Sequence, residues 1–443
     1  MGPCKYRHAY HQSLVYKIMN CEKPNRVLVT FEQTLDIIRR VHRFSRGLKQ
    51  IVYLTGWQYE GHDSKYPAWF EVNAALKREC DERPLDSLLW LMREARKWNA
   101  VVSVHINMYD AYENSPLWDE YVRNDLLNRD ESGNLSKGGV WGGEQAYMIV
   151  QQLEWRSGYA KRRIDALLEL LPIEEAGTIH IDANIPRPSP YHGITREDEI
   201  QAIIEQIRYW NERGIDVTNE LFLHEFAGWV PMAWHLNLDE ASRLRYPASV
   251  ICGGGPGWNV RRLRNARDAA WIGFFTAPEA GCLYEEAWGI SIDTDADNYL
   301  RTFADEFYLR TLPWYYLNRR RPIRHIHTAE HYTVQFGGGV ESTVRVSDRF
   351  YTLQEQGRLL VNGTDVFLPA LWNGNNEYLA YSRSGGRIRW ELPPHLQSAE
   401  RFEIRSLTAP DRLPRHAIAA QGRITLELDA REGVSVVPYT EIK

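Results

Sequence analysis

Along the first half of the chain, short apolar runs alternate with longer stretches whose apolar residues recur three and four apart. Arg26 to Phe31 (RVLVTF) reads as a strand, and Thr34 to Ser45 follows with a helical period. Gln50 to Trp57 (QIVYLTGW) is a second strand. Pro84 to Trp98 is a helix with proline in its first turn. Ala100 to Asn107 (AVVSVHIN) is a third strand, followed by a long excursion through Trp118, Trp141 and Trp155 with a glycine-rich centre at Lys137 to Gly143. Gly158 to Leu171 reads as a helix, Thr178 to Asn184 (TIHIDAN) as a fourth strand, Arg196 to Arg213 as a helix and Ile215 to Glu220 (IDVTNE) as a fifth strand. Strand and helix in repeated alternation imply parallel strands joined by helical crossovers. Beyond Glu220 the pattern weakens. Ser249 to Gly255, Trp271 to Thr276 and Gly289 to Asp293 are strand candidates, and Asn298 to Leu312 is a helix candidate.

The texture changes near His325. From Tyr332 onward short alternating segments (TVQF, STVRV, RLLVNG, EYLAYS, RIRWEL, RFEIRS, RITLEL, VSVVPY) are punctuated by glycine, asparagine and proline, the signature of an antiparallel β-domain. A chain of 443 residues accommodates one barrel of about 250 residues and a smaller partner. The expectation is an α/β architecture: a (β/α)8 TIM barrel over 1–325 and a C-terminal antiparallel β-sandwich over 326–443, packed together without a low-complexity linker.

Composition narrows the function classes. Apolar residues make up 44% and charged residues 25%, ordinary globular usage that excludes disordered and fibrous classes. The net charge of −5 supplies no basic footprint for nucleic acid. No apolar stretch approaches the roughly 20 residues of a membrane span, and the first thirty residues lack the apolar core of a secretion signal; a cytoplasmic protein without nucleic-acid or membrane partners is expected. The five cysteines, Cys4, Cys21, Cys80, Cys252 and Cys282, form no CxxC pair and read as reduced thiols.

In a barrel of this kind the working groups gather at the carboxyl ends of the strands. Here strand two runs into Trp57-Gln58-Tyr59-Glu60-Gly61-His62-Asp63, and strand three ends in His105-Ile106-Asn107. Strand four ends in His180-Ile181-Asp182-Ala183-Asn184, and strand five in Asn219-Glu220 with His224-Glu225 after it. Strand residues alternate sides, so His105 and Asn107 share a face, as do His180, Asp182 and Asn184. Asp182 and Glu220 are the catalytic candidates. Side chains on neighbouring strands about 4.8 Å apart can bring two carboxyl groups to the roughly 5 to 5.5 Å that a nucleophile and an acid/base need around one glycosidic bond. Hydrogen-bond donors would keep the first ionised, while burial and its neighbour's charge would keep the second protonated.

The segment Tyr53-Leu-Thr-Gly-Trp-Gln-Tyr-Glu-Gly-His-Asp-Ser-Lys-Tyr-Pro67, with Val104-His-Ile-Asn107 after it, resembles the catalytic barrel of glycoside hydrolase family 101, endo-α-N-acetylgalactosaminidases of mucin-type O-glycans. The related family 129 holds exo-acting α-N-acetylgalactosaminidases. The resemblance runs from about Arg26 to about His235. It implies that Asp182 is the nucleophile and Glu220 the acid/base. It further implies that Asp63 binds sugar, that His105 and Asn107 line the site wall, and that Trp234-His235 matches a Trp-His element after the fifth strand. Trp57, Glu60, His62, Asn184 and His224 complete the candidate substrate-binding set. The strand context HIDAN differs from the tyrosine- and valine-rich one usual in that family, and the multidomain organisation of the endo enzymes is absent from this sequence. A smaller, exo-acting retaining α-glycosidase is expected, with a carbohydrate as its partner and no cofactor required; a structural calcium ion is compatible with that chemistry.

Other readings are open. α-Galactosidase specificity could rest on the same carboxylates, and a barrel that binds carbohydrate without turnover could keep the same pocket. Trp57, Trp141, Trp229 and Trp234 could stack on sugar faces or fill core. His180-Ile-Asp182 and His105-Ile-Asn107 could ligate zinc from one strand face, although no HExxH or early HxH accompanies them. Gly253 to Gly257 (GGGPG) matches no phosphate-binding motif and reads as a turn, and Arg319 to Arg321 as a solvated or interdomain run. Glu285, Glu286, Asp293 and Asp295 are candidates for a third site carboxylate.

Overall fold

The structure, a computed structural model, describes residues 2–236, 238, 240–253, 304–305, 307–348 and 350–439. The predicted segments Trp271 to Thr276 and Gly289 to Asp293 lie outside the described residues, as do Gly254 to Gly257, Cys282 and the four late carboxylates.

The N-terminal part is a TIM-barrel-like α/β domain. Among the described residues seven parallel strands follow one another in chain order. They are β1 (Leu14–Met19), β2 (Gln50–Thr55), β3 (Ala100–Asn107), β4 (Thr178–Asp182), β5 (Asp216–Leu221), β6 (Met232–His235) and β7 (Cys252–Gly253). Each neighbour is reached through an outer crossover, including helices α1 (Phe31–Phe44), α2 (Pro84–Ala95), α3 (Tyr159–Leu170) and α4 (Arg196–Asn211). Local chemistry sets the helix starts. The Thr30 hydroxyl accepts from Gln33 N–H while the Gln33 side chain accepts from Thr30 N–H. Thr195 and Asp198 form the same reciprocal cap, and α2 opens on Pro84.

Two sequence expectations are corrected here. The apolar run from Arg26 is no barrel strand: Arg26–Val27 only pairs with Cys21–Glu22 in a short antiparallel turn. Thr30, already bonded as an N-cap, commits Phe31 to α1. The first barrel strand is instead Leu14–Met19, in register with β2 as Lys17 opposite Tyr53. Lys17 disguised it by putting a charge inside an apolar run. The second correction is β6, whose four residues join the sheet beside β5 with Leu221 opposite His235; four residues carry too little periodicity to be seen alone.

A buried ion pair anchors the loop after β2. The Arg163 guanidinium of α3 lies 2.6 Å from Glu154, donates to the Pro67 carbonyl at 3.0 Å and stacks 4.3 Å from the Trp69 ring. Glu154→Ala would leave this guanidinium buried and unpaired, so a stability loss of about 3–5 kcal/mol is expected. Urea unfolding measures it; a loss below about 1 kcal/mol would mean that the pair does not anchor the loop.

The C-terminal part is an antiparallel β-domain of twelve strands among the described residues. It starts with Pro322–His327 and ends with Glu432–Pro438. Each segment anticipated from the sequence contains a strand; four more lie at Pro322–His327, Tyr351–Glu355, Asp365–Pro369 and Arg415–Ala420. The sheet folds over on itself as a sandwich around Phe367, Trp390, Phe402, Ile424, Leu426 and Val436. The two parts share a core: Tyr308 stacks on Tyr381 at 5.0 Å, its hydroxyl donates to the Phe44 carbonyl, and Trp372 donates to the Arg46 carbonyl. Among the described residues no helix is long and apolar enough to cross a membrane.

Candidate active site

The inner face of the barrel is polar, whereas barrels of this class are usually filled by branched apolar side chains. Thr178 accepts or donates with the hydroxyls of Tyr10 and Tyr53 at 2.5 and 2.6 Å. His180 Nδ1 is 2.9 Å from the Thr218 hydroxyl, and Ser103 donates to the Thr178 carbonyl. Above this layer stand the strand ends. The sheet pairs Asn107 with Asp182, and Thr218 with His180. Glu220, two residues past Thr218, therefore faces the same way as Asp182 on the next strand.

One hydrogen bond ties the end of β4 to the Glu220 carboxyl. Ala183 N–H, directly after Asp182, donates to Glu220 Oε2 at 3.1 Å. Ala183 adopts φ +47°, a left-handed conformation that L-residues avoid and that active sites often retain. Glu220 Oε1 lies 3.8 Å from His235 Nε2, and Asp182 Oδ2 lies 3.6 Å from His105 Nε2. The Asp182 side chain keeps 18% of its surface exposed, so a ligand can reach it.

The loop after β2 is laid backbone to backbone on the turn at 21–25. His62 N–H donates to the Cys21 carbonyl, and Asn25 N–H to the Glu60 carbonyl. Gly61 (φ +125°) is required there, since a Cβ would stand 2.6 Å from the Glu22 carbonyl carbon. This brings His62 to 5.3 Å from the His105 ring and within 3.3 Å of the Asp63 carboxylate. Lys23 ties the loop to the 137–148 hairpin, donating to the carbonyls of Asp63 and Trp141 and pairing with Glu144 at 3.1 Å.

Several candidates converge: Asp182, Glu220, His62, Asp63, His105, Trp234 and His235. Others take different roles. Trp57 is fully buried and its indole donates to the His105 carbonyl, so it props the wall and offers no face to a sugar. The Asn107 amide is used locally, donating to Asp110 and accepting from Tyr109 and Asp110 N–H. Asn184 reaches towards Asn219 at 3.5 Å. Glu60 pairs with Lys65 at the rim. His224 is exposed and packs on Phe222 and Tyr246. Among the tryptophans, Trp234 is buried under Lys17, whereas Trp141 is 48% exposed on the hairpin beside Asp63.

Two residues were missed by sequence reasoning. Lys17 on β1 is 1% exposed, with its ammonium 4.6 Å from the centre of the Trp234 ring. Asp110 is held by Asn107 after β3. A lone cation within LVYKIM and the N-x-x-D spacing after HIN were the available signals.

Electrostatics follow from this crowding. Burial pushes the Asp63 and Asp110 carboxyls up to about 7. Burial and the Glu220 charge push Asp182 well above the usual carboxylate range, against the pull of Lys17. Glu220 is also raised, chiefly by burial. Burial lowers His62 to about 3, and His105 and His180 well below the ordinary imidazole value. Burial lowers Lys17 to about 8, opposed by Asp182 and Glu220. The donor set expected to keep Asp182 ionised is thus reduced to one cation and neutral imidazoles. Two carboxyl groups at neighbouring strand ends, both raised and one reachable by ligand, can supply a nucleophile and a proton donor.

A TIM-barrel-like domain with carboxyls at its strand ends is an arrangement that glycoside hydrolases use, although the fold by itself hosts many chemistries. Residues 7–224 match the model of glycoside hydrolase family 101, described as endo-alpha-N-acetylgalactosaminidase. A Renibacterium salmoninarum protein named "Putative endo-alpha-N-acetylgalactosaminidase" is 23% identical over 432 residues, covering 92% of this chain and 25% of its own length. The chain thus spans a quarter of that relative. Two solved structures of the alpha-N-acetylgalactosaminidase NagBb from Bifidobacterium bifidum share the fold. A quadruple mutant gives a TM-score of 0.57 at 13% identity, covering 78% of this chain and 57% of its own. A GalNAc complex gives 0.56 at 14%, covering 78% and 57%.

Proposed function

We propose that the protein is a retaining α-glycosidase releasing α-linked N-acetylgalactosamine, with Asp182 as nucleophile and Glu220 as acid/base. The observation that carries the reading is the Ala183 N–H bond to Glu220, which sets the acid of one strand beside the carboxylate of the next. In the first step Asp182 attacks the anomeric carbon while Glu220 protonates the departing oxygen. In the second, water deprotonated by Glu220 releases the sugar from Asp182 with net retention. In the free protein burial raises both carboxyls, which favours a protonated form and so a proton donor in the pair. Lys17 lies against both carboxyls and favours the charged form of each.

Asp63, His62, His105 and Asp110 line the approach and would read sugar hydroxyls. Buried polar groups left unpaired by the wrong epimer make such reading selective. Trp141 offers an open aromatic face for the aglycone side. The family match and NagBb, an alpha-N-acetylgalactosaminidase solved as a GalNAc complex, support the choice of sugar.

A panel of nitrophenyl α-glycosides tests the substrate: the N-acetylgalactosaminide is expected to be hydrolysed fastest, and preference for the galactoside would move the assignment to an α-galactosidase. Proton NMR of the first-formed sugar tests the stereochemistry. The α-anomer should appear first, and initial release of the β-anomer would exclude double displacement.

A further inference from the structure

We propose that His62, His105 and Asp182 form a Zn2+ site inside this pocket, and that occupation by the cation closes the pocket to sugar. The second half rests on the glycosidase reading; the first does not.

The three side chains each offer a donor atom, and these atoms lie within 4.8 Å of one another. The His105 Nε2 to Asp182 Oδ2 separation of 3.6 Å is close to the roughly 3.4 Å between ligands of a tetrahedral zinc with bonds of about 2.0–2.2 Å. The imidazole rings of His62 and His105 are neighbours, 5.3 Å between centroids, and side-chain rotation would have to close the remaining donor separations to the tetrahedral spacing.

His105 is 1% exposed, and neither of its ring nitrogens makes a hydrogen bond. A buried imidazole in that state requires a reason. Its Nε2 points to Asp182, where a cation would satisfy it. His62 already has the outer support that metal-binding histidines usually show: its Nδ1 lies 3.3 Å from the Asp63 carboxylate. With Nδ1–H held by Asp63, the lone pair sits on Nε2. Two imidazoles and one carboxylate are a borderline donor set that suits Zn2+ and disfavours Ca2+ and Mg2+, which take oxygen ligands. Three protein ligands leave a fourth position open. The same atoms that would receive the sugar would then be engaged, and Asp182 could not attack.

The test uses the full chain carrying His325→Ala and His327→Ala. Half-buried His325 and exposed His327 could chelate a cation elsewhere, with His325 Nδ1 3.4 Å from His327 Nε2. After treatment with EDTA and buffer exchange, cobalt(II) chloride is titrated and followed by visible absorption. One equivalent is expected to give the intense d–d bands of a four-coordinate ion, and one equivalent of zinc chloride should bleach them. His62→Ala and Asp182→Asn, checked for folding by circular dichroism, should each weaken cobalt binding at least about tenfold. N-acetylgalactosamine should compete with the ion, and zinc should inhibit hydrolysis of the nitrophenyl substrate competitively.

Absence of the bands, or bands undiminished in both folded variants, would overturn the site. Bands with full hydrolysis at saturating zinc would overturn the closure. Bands without any hydrolysis leave the cation site standing and remove the glycosidase reading, so the two failures are distinguishable.

Discussion

Asp182→Ala is expected to lower kcat/KM for a nitrophenyl α-N-acetylgalactosaminide by at least about 10³-fold, and azide is expected to restore turnover. The loss follows because, among the described residues, no other carboxylate stands where Asp182 does: Asn107 is its register partner on one side, and Glu220 is held by Ala183 N–H on the other. Azide fits the volume that the carboxylate vacates. It attacks once, from the face opposite the leaving group, so the product is the β-glycosyl azide. Glu220→Ala behaves differently. A nitrophenol needs little protonation to leave, so the first step survives while water attack slows, and azide then yields the α-azide after two displacements. Variants that both keep wild-type turnover would remove the enzyme assignment, and identical azide products from both would remove the division of roles.

Lys17→Met should move the acidic limb of the kcat/KM profile upward by about one to two pH units. Asp63, Asp110, Asp182 and Glu220 face one another across the pocket, and His62, His105 and His180 are kept neutral by burial. Among the described groups set against this cluster, Lys17, the Asp63-bound Lys23 and Arg187 towards Asp110 supply the positive charge. A cation close to an anion in a protein-like medium contributes about 1–4 kcal/mol, and each 1.36 kcal/mol is one pH unit. The sign is as follows. Activity falls as pH drops through the value at which Asp182 takes up its proton. Lys17 lowers that value, so its removal raises it and the fall begins at higher pH. Lys17 is itself pushed down to about 8 by burial, so its support for Asp182 is present below that pH and fades above it. A uniform loss of activity with the limb unmoved would mean that Lys17 only fills space under Trp234.

Much of the barrel was legible because its strands and helices carry their periods locally. β3 was read to the residue, and α1, α2, α3 and α4 to within a few residues at each end. β1 was not, because one lysine broke an apolar run; only the surrounding pocket explains why a charge is tolerated there. RVLVTF misled in the opposite direction, since Thr30 and Gln33 close a helix cap that outcompetes strand pairing. The site shows the same split. Asp182 and Glu220 stand out at the ends of consecutive strands, whereas Asp110 is brought in by an asparagine anchor with no periodic signal. Trp57 looked like a sugar platform because it follows a strand, yet its indole is spent on the His105 carbonyl.

The sequence by itself determined the alternation of strand and helix, the change to short antiparallel strands, and which strand ends carry acid and imidazole. These are local properties, set by side-chain period and by residue type at each terminus. The tertiary structure alone decided which of those groups meet, which are consumed by their neighbours, and how far each titrates from its ordinary value. Those outcomes depend on register, on the curvature that points alternate residues inward, and on burial among charges drawn from distant parts of the chain.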